Sequence, residues 1–288
     1  MTSVPADVLA AANAQSQRLR ELIRAPKILV MPGAYDVLSA ILFEALGFEA
    51  IQGASGGIQA VYGLRDDELL GLERTAAIYK EMVDAVSVPV NADGERGYGG
   101  PEAMAHTVGR FVAAGAAGMN LEDSGSHAPG APMRLVPIHA MVAKVRAVME
   151  AKRALDSEFF LNARVDVFGT GVSHREGMAE AIERGNAYAE AGADCIFIFR
   201  PPDVEGIRTL VREVRAPLSI LATPDSPSIP ELQDLGVARV SYCTAFTRVA
   251  ITAVKRLAEE VLKGGNPGPL LREAMPHPEF QRLLRSQA

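Results

Sequence analysis

Short apolar runs alternate with longer amphipathic stretches along this chain, and the alternation repeats about eight times. The apolar runs predict strands at Ile28–Met31, Ala50–Gln52, Val88–Asn91, Gly118–Glu122, Phe159–Arg164, Cys195–Phe199, Leu218–Leu221 and Val240–Cys243. Helical periodicity predicts helices near 36–46, 69–85, 101–114, 137–155, 174–191, 203–214, 228–235 and 245–263. Strands that are apolar along their whole length belong to a parallel sheet covered on both faces. Eight strand–helix units in roughly 240 residues predict an α/β fold, the (β/α)8 TIM barrel, which takes about 250 residues. A doubly wound open sheet is the alternative, with fewer strands and with edges to protect. Gly47, Gly115, Gly192 and Gly236 each follow a predicted helix and precede a strand, where a C-cap glycine belongs. The phrases Ala114-Gly115-Ala116-Ala117-Gly118 and Ala191-Gly192-Ala193-Asp194 resemble one another as repeated units do.

The chain reads as a single domain, 1–288, with the barrel over 27–263. Residues 8–24 predict a leading helix. A helical tail, 264–288, opens on the breaker cluster Gly264-Gly265-Asn266-Pro267-Gly268-Pro269 and resumes as short helices near 270–274 and 278–285. A tail held off by such a hinge packs on its own barrel or on a neighbouring subunit, and the expectation here is exchange with the neighbour.

Composition narrows the partners. Apolar residues make up 48% and charged residues 22%, the balance of an ordinary soluble globule. The net charge of −6 opposes nucleic-acid binding, which calls for a basic surface. No apolar run approaches the ~20 residues that span a bilayer, so no membrane partner is expected. The N-terminal residues lack a basic segment followed by an apolar one, so no signal peptide is expected. Cys195 and Cys243 lie in apolar runs without metal-ligand spacing, which reads as reduced, buried thiols in a cytoplasmic protein.

The stretch Asn91-Ala92-Asp93-Gly94-Glu95-Arg96-Gly97-Tyr98-Gly99 carries the strongest chemical signal. Two carboxylates closing an apolar strand are poor core material and good ligands for a hard divalent cation. Other predicted strand ends add to them. Strand 2 leads into Gly53-Ala54-Ser55-Gly56-Gly57 and then Gly63-Leu64-Arg65-Asp66-Asp67. Strand 4 ends in Glu122-Asp123-Ser124, and strand 5 in Arg164-Val165-Asp166. In a barrel these residues share the C-terminal mouth, where active sites sit. Acids packed there without a cation would repel and shift their pKa values upward, and Mg²⁺ or Mn²⁺ removes the conflict. Any single Asp or Glu after a strand can equally be a helix cap or a solvated loop residue, and Asp67 and Asp123 suit that role. Arg164 reads as a bidentate anchor for a carboxylate or phosphate, or as a buried ion pair with Asp166 or Glu122. The small-residue turn Gly53–Gly57 can turn backbone N–H groups toward an anion.

At these residues the chain resembles the isocitrate lyase/phosphoenolpyruvate mutase superfamily, over about 27–263. Asp93-Gly94-Glu95-Arg96-Gly97-Tyr98-Gly99 is similar to its acidic magnesium motif. Gly63-Leu64-Arg65-Asp66 resembles its strand-2 loop, Leu121-Glu122-Asp123 its strand-4 end, and Ala163-Arg164-Val165-Asp166 its arginine strand. The resemblance implies that Asp93 ligates Mg²⁺ directly and that Glu95, Asp66 and Glu122 hold it through water. It implies that Arg164 and the Ser55-Gly56-Gly57 backbone grip a substrate carboxylate. It also implies a homotetramer, or dimer of dimers, that exchanges C-terminal helices.

Departures limit the transfer. Isocitrate and methylisocitrate lyases carry a Lys-Lys/Arg-Cys-Gly-His segment after the strand-4 acid, and the mutases and phosphonopyruvate hydrolases a Lys-Thr-Asn triplet. Here residues 124–134 contain no cysteine and no lysine. Phe199 and Arg200 stand near where the mutases have a histidine. The 124–134 stretch is rich in Gly, Ala, Ser and Pro, as suits a lid that excludes water. Its His127 is a candidate general acid or base, or a solvent-exposed loop residue. Tyr98 is a second proton-transfer candidate, or a packing residue at the barrel mouth. The superfamily's enolate chemistry implies a Mg²⁺-dependent lyase acting on a C–C bond of a small 2-oxo or 2-hydroxy di- or tricarboxylate. An oxaloacetate-type hydrolase or decarboxylase, or a C–P bond enzyme, is the first alternative. A non-catalytic metal-binding relative is the second.

Overall fold

The computed structural model of the protein describes residues 4–125 and 131–284. In chain order its elements are α1 (Ala6–Arg24), β1 (Leu29–Met31), β2 (Gly33–Ala34), α2 (Val37–Ala45), β3 (Ile51–Gly53), α3 (Ser55–Val61), α4 (Gly71–Ala85), β4 (Val90–Asp93), α5 (Met104–Ala113), β5 (Gly118–Glu122) and α6 (Ile138–Leu155). Then follow β6 (Phe160–Val165), α7 (His174–Glu190), β7 (Cys195–Ile198), α8 (Val204–Glu213), β8 (Leu218–Leu221), α9 (Ile229–Asp234), β9 (Arg239–Ser241), α10 (Ala245–Gly264), α11 (Gly268–Glu273) and α12 (His277–Leu283).

Every strand pairing is parallel, in the order β1-β9-β8-β7-β6-β5-β4-β3-β2. This is the predicted TIM barrel, with the first strand divided at Pro32. β1 pairs with β9 and β2 pairs with β3, so the two pieces serve opposite neighbours. Proline has no N–H to add to a ladder. Its carbonyl still accepts from Gln52 N at 3.0 Å, which begins the hand-over to β3. Gly33 follows because a Cβ there would lie 2.1 Å from the Cys243 carbonyl oxygen.

Between strands and helices lies an apolar core that includes Tyr79, Met104, Phe111, Phe159 and Tyr188. A second cluster closes the bottom of the barrel. There α1 lays Leu19 and Ile23 against Leu29, Met31, Ala117 and Phe160. Arg20 fixes that helix by pairing with Asp194 at 3.2 Å and Glu158 at 3.3 Å. The leading helix is thus a floor for the barrel.

Two local expectations change. The Gly53–Gly57 turn is not a turn: Ser55, Gly56 and Gly57 open helix α3. Small residues lowered the helical signal there, but the backbone N–H groups of a helix's first turn remain free to face an anion. β4 also runs past Asn91 to Asp93, which makes Asp93 the last residue of its strand.

In the tail, α11 follows Gly265, which sits at φ 62°, and Arg256 of α10 pairs with Glu273. The tail still leaves Val249, Ile251, Val254, Leu262 and Leu271 between 63% and 84% exposed. Among the described residues no helix is long and apolar enough to cross a membrane.

The floor yields a stability test. Leu19 is buried, so Leu19→Ala is expected to cost about 2–5 kcal/mol, read as a lower urea midpoint in equilibrium unfolding. An unchanged midpoint would show that α1 is not part of the cooperative fold.

Candidate active site

The C-terminal strand ends gather the predicted residues. Asp93 ends β4 and Glu122 ends β5, and Arg164 stands opposite Glu122 in the β5–β6 register. Ser55 opens α3, and Asp66 lies in the loop that follows that helix. Ser55, Asp66, Glu95, Glu122 and Arg164 line a cavity of about 210 Å³.

Hydrogen bonds tie the acids together. Ser55 Oγ lies 2.9 Å from Asp93 Oδ2 and 3.0 Å from Asp66 Oδ1. Gln59 Nε2 donates to Asp66 at 3.1 Å and to Glu95 at 3.3 Å. Gly56 lets Asp66 approach, because a Cβ there would lie 2.7 Å from Asp66 Oδ2. Asp93 N donates to the buried Tyr79 hydroxyl at 2.8 Å, which fixes the end of the strand.

Glu95 and Tyr98 adopt left-handed backbone, at φ 45° and 57°. Such strain persists only where surrounding contacts hold it. Glu68, itself at φ 55°, supplies them: its N–H reaches Glu95 Oε2 at 2.7 Å. Its carboxylate accepts from Arg96 N and Tyr98 N, each at 3.0 Å. Arg96 closes the loop by pairing with Asp67 at 2.8 Å and Glu68 at 3.2 Å. Glu68 and Gln59 escaped the sequence reading. Neither belongs to a strand end: Gln59 comes from helix α3, and Glu68 from the loop that folds back over the mouth.

Arg164 does both things the sequence left open. It lines the cavity, and it pairs with Glu122 at 2.9 Å and Asp166 at 2.7 Å. Burial opposes its charge, but Asp166 and Glu122 hold it firmly protonated. Asp123 departs from the solvated role expected of it. It is fully buried, accepting from Asp166 N at 2.9 Å, Arg184 NH1 at 3.1 Å and the Tyr188 hydroxyl at 2.7 Å. A carboxylate next to a metal candidate therefore serves as a structural knot. The Tyr98 hydroxyl donates to Glu95 at 3.2 Å, and its ring packs on Phe111. His127 lies outside the described residues. The base of its loop is pinned, with Ser124 bridging Leu135 and Ser124 Oγ donating to Glu122 at 2.5 Å.

A second cavity of about 570 Å³ adjoins the first and shares Phe199 and Cys243 with it. Arg200, Arg248, Thr223, Tyr242 and Thr244 line it, and among the described residues no carboxylate does. The Arg164 guanidinium lies 4.1 Å from the centre of the Phe199 ring, and that of Arg200 lies 5.6 Å away. Phe199 is thus a wall between an acid-rich and a cationic chamber.

A parallel barrel that collects acids and an arginine over a polar cavity at its C-terminal mouth defines a TIM-barrel enzyme. The comparisons with known proteins narrow that class. The chain belongs to the phosphoenolpyruvate phosphomutase family, whose sequence profile matches residues 19–262, within the isocitrate lyase/phosphoenolpyruvate mutase superfamily. It is 30% identical over 278 residues to the 2,3-dimethylmalate lyase of Eubacterium barkeri, covering 93% of each chain. It is 30% identical over 275 residues to the 2-methylisocitrate lyase of Aeropyrum pernix, covering 92% of this chain and 86% of that one. Its fold superimposes on a phosphonopyruvate hydrolase solved with oxalate and Mg²⁺, at a TM-score of 0.81 and 26% identity, covering 93% and 94% of the two chains.

Burial, then the neighbouring carboxylates, push Asp93 up to about 6 and Glu95 up to about 8. Burial and Glu122 raise Asp66 as well. A carboxyl whose pKa is raised on folding binds its proton more tightly in the folded chain. That stabilisation is complete below about pH 4, the unfolded range, and is lost as pH rises through about 6 for Asp93 and about 8 for Glu95. With chelator present, the melting temperature is therefore expected to fall from pH 5 to pH 9, and Glu95→Gln to flatten the upper part of the fall. Scanning calorimetry checks this; a flat profile would show that the acids are not in conflict.

Proposed function

We propose that the chain is a Mg²⁺-dependent lyase. It cleaves or forms a C–C bond in a small 2-oxo or 2-hydroxy di- or tricarboxylate through an enolate-like intermediate. The observation that carries the reading is the convergence of Asp66, Glu95 and Glu122 with Arg164 on one small cavity, with Asp93 joined to its wall through Ser55.

The donor set fits magnesium: it is all oxygen, and Asp93, Glu95 and Asp66 are held above the ordinary carboxylate range by burial and by neighbouring carboxylates. Among the described residues no three His, Cys, Asp or Glu side chains form a group that could hold a metal ion by themselves. In this reading Asp93 is the one direct ligand, with water between the ion and Glu95, Asp66 and Glu122. Mn²⁺ would suit the same ligands. When bound, the ion supplies a Lewis acid for negative charge that develops on an oxygen beside the reacting bond.

The chain's own residues do the rest. Arg164 keeps Asp166 on its Nε and NH2 and turns NH1 toward Glu122. With the first-turn N–H groups of Ser55, Gly56 and Gly57, it would hold a substrate carboxylate. Arg200 and Arg248 would receive a second carboxylate, which favours a di- or tricarboxylate over a monoacid. Tyr98 reaches the site through Glu95, so its hydroxyl would supply a proton by way of that carboxylate. His127 is the other proton-transfer candidate. The C–P and oxaloacetate-type alternatives use the same acids and differ in the product released.

The test is incubation with Mg²⁺ and a panel of 2-oxo and 2-hydroxy di- and tricarboxylates and phosphonates, following pyruvate, glyoxylate, oxalate and phosphate. A 2-oxo acid or glyoxylate is expected as product. Asp93→Ala is expected to lower kcat by at least about 10²-fold, while activity unchanged in that variant would sink the metal assignment. Release of phosphate alone would favour the C–P alternative.

The same reading gives the apolar face of α10 and the tail to a second copy of the chain, within a cytoplasmic homotetramer or dimer of dimers. Leu262→Glu is expected to lower the particle mass in light scattering. A monomer in the unaltered protein would refute the assembly.

A further inference from the structure

The interior of the barrel holds a buried cation that the site does not use directly. Arg239, in β9, is 1% exposed and has no carboxylate partner among the described residues. Its guanidinium donates to Ser219 Oγ at 3.2 Å, to Gln52 Oε1, and toward Met31 Sδ at 2.9 Å, with the Phe197 ring 5.6 Å away. Burial lowers it only to about 10, so it stays charged at neutral pH. A buried, unpaired charge is costly and calls for a reason.

The reason lies one layer up. Gln52 passes the contact to Asn91, whose amide donates to Gln52 at 2.9 Å and to Asn120 at 3.0 Å; Asn162 donates to Asn120 at 2.8 Å. Asn91, Asn120 and Asn162 each stand two residues before Asp93, Glu122 and Arg164. Residues two apart on a strand share a face. The amides therefore form a neutral polar layer directly beneath the acids, and Arg239 is joined to that layer from the side. Asp93 is among the groups that favour its charge.

We propose that Arg239 is a positioning residue that sets the charge balance of the active site from beneath. Its positive charge, left unpaired, offsets the carboxylate cluster, so that an anionic substrate is admitted at some loss of affinity for the cation. The proposal rests on the reading that the acids hold Mg²⁺. It makes a prediction that packing alone does not: loss of the charge moves cation and anion binding in opposite directions, whereas loss of structure weakens both.

The experiment is isothermal titration of Mg²⁺ into the metal-free protein and of oxalate into the Mg²⁺-saturated protein. In Arg239→Gln the Kd for Mg²⁺ is expected to fall at least about threefold and the Kd for oxalate to rise at least about threefold. In Arg239→Lys, which keeps the charge, both are expected within about twofold of the unaltered protein. Ser219→Asp sets a carboxylate against the intact guanidinium, and is expected to shift both constants as Arg239→Gln does. It also decides the matter if the neutral variant does not fold. Weakening of both ligands, or no change in either, would overturn the proposal, as would a lysine variant that behaves like the glutamine one. Failure of the unaltered protein to bind Mg²⁺ would overturn the metal reading, and this one with it.

Discussion

Repulsion among carboxylates at the barrel mouth is the constraint that the rest of the site answers. Asp93, Glu95, Asp66 and Glu122 are brought together, the first two where water is scarce, and the company of other carboxylates acts against the charge of Asp93, Glu95 and Asp66. Each neighbouring feature reduces that conflict or holds the acids in spite of it. Ser55 and Gln59 donate to them, and Tyr79 fixes the backbone of Asp93. Glu68 holds the strained 95–98 turn, and Arg164 brings positive charge to the rim. The barrel supplies rigid strand ends, without which such a cluster would splay apart.

The fold was largely legible because buried parallel strands are apolar throughout and the helices between them are amphipathic. Both periodicities are local, so a single sequence displays them. The strand-end acids and Arg164 were legible for the converse reason: polar residues at the ends of apolar runs stand out. What escaped depends on tertiary placement. Helix α3 is too short and too rich in small residues to show a period. Glu68 sits in a loop of charged residues, with nothing in sequence to separate it from Asp67, its neighbour. Arg239 was hidden at the margin of its strand, since a charged residue before Val240 looks like an exposed boundary and is in fact inside the barrel.

Asp123 and Glu122 show why identity alone does not assign a role. They are adjacent carboxylates, and alternation along the strand sends them to opposite surroundings. Glu122 faces the cavity beside Arg164, whereas Asp123 is enclosed by Arg184, Tyr188 and the backbone of β6. One belongs to the chemistry and the other to the frame. Within the chambers, Phe199 makes a similar division, since the cations on its two sides have different company. Arg164 pairs with two acids, and Arg200 shares its chamber with none among the described residues.

The knot at Asp123 has a wider consequence. Its side chain grips α7, its carbonyl accepts from Val136 N at 2.9 Å, and the Val136 carbonyl accepts from Arg184 at 2.9 Å. Gly125 N meets the Arg134 carbonyl at 2.6 Å just above. Both ends of the intervening segment are thereby anchored to the frame, and Ser124 ties its base to Glu122. The anchors are backbone hydrogen bonds and the Asp123 contacts, so they do not depend on which side chains stand between them. A scaffold wired in this way is modular: its power source stays fixed while its tool is exchanged. That arrangement gives a physical basis for one family to contain lyases, hydrolases and mutases.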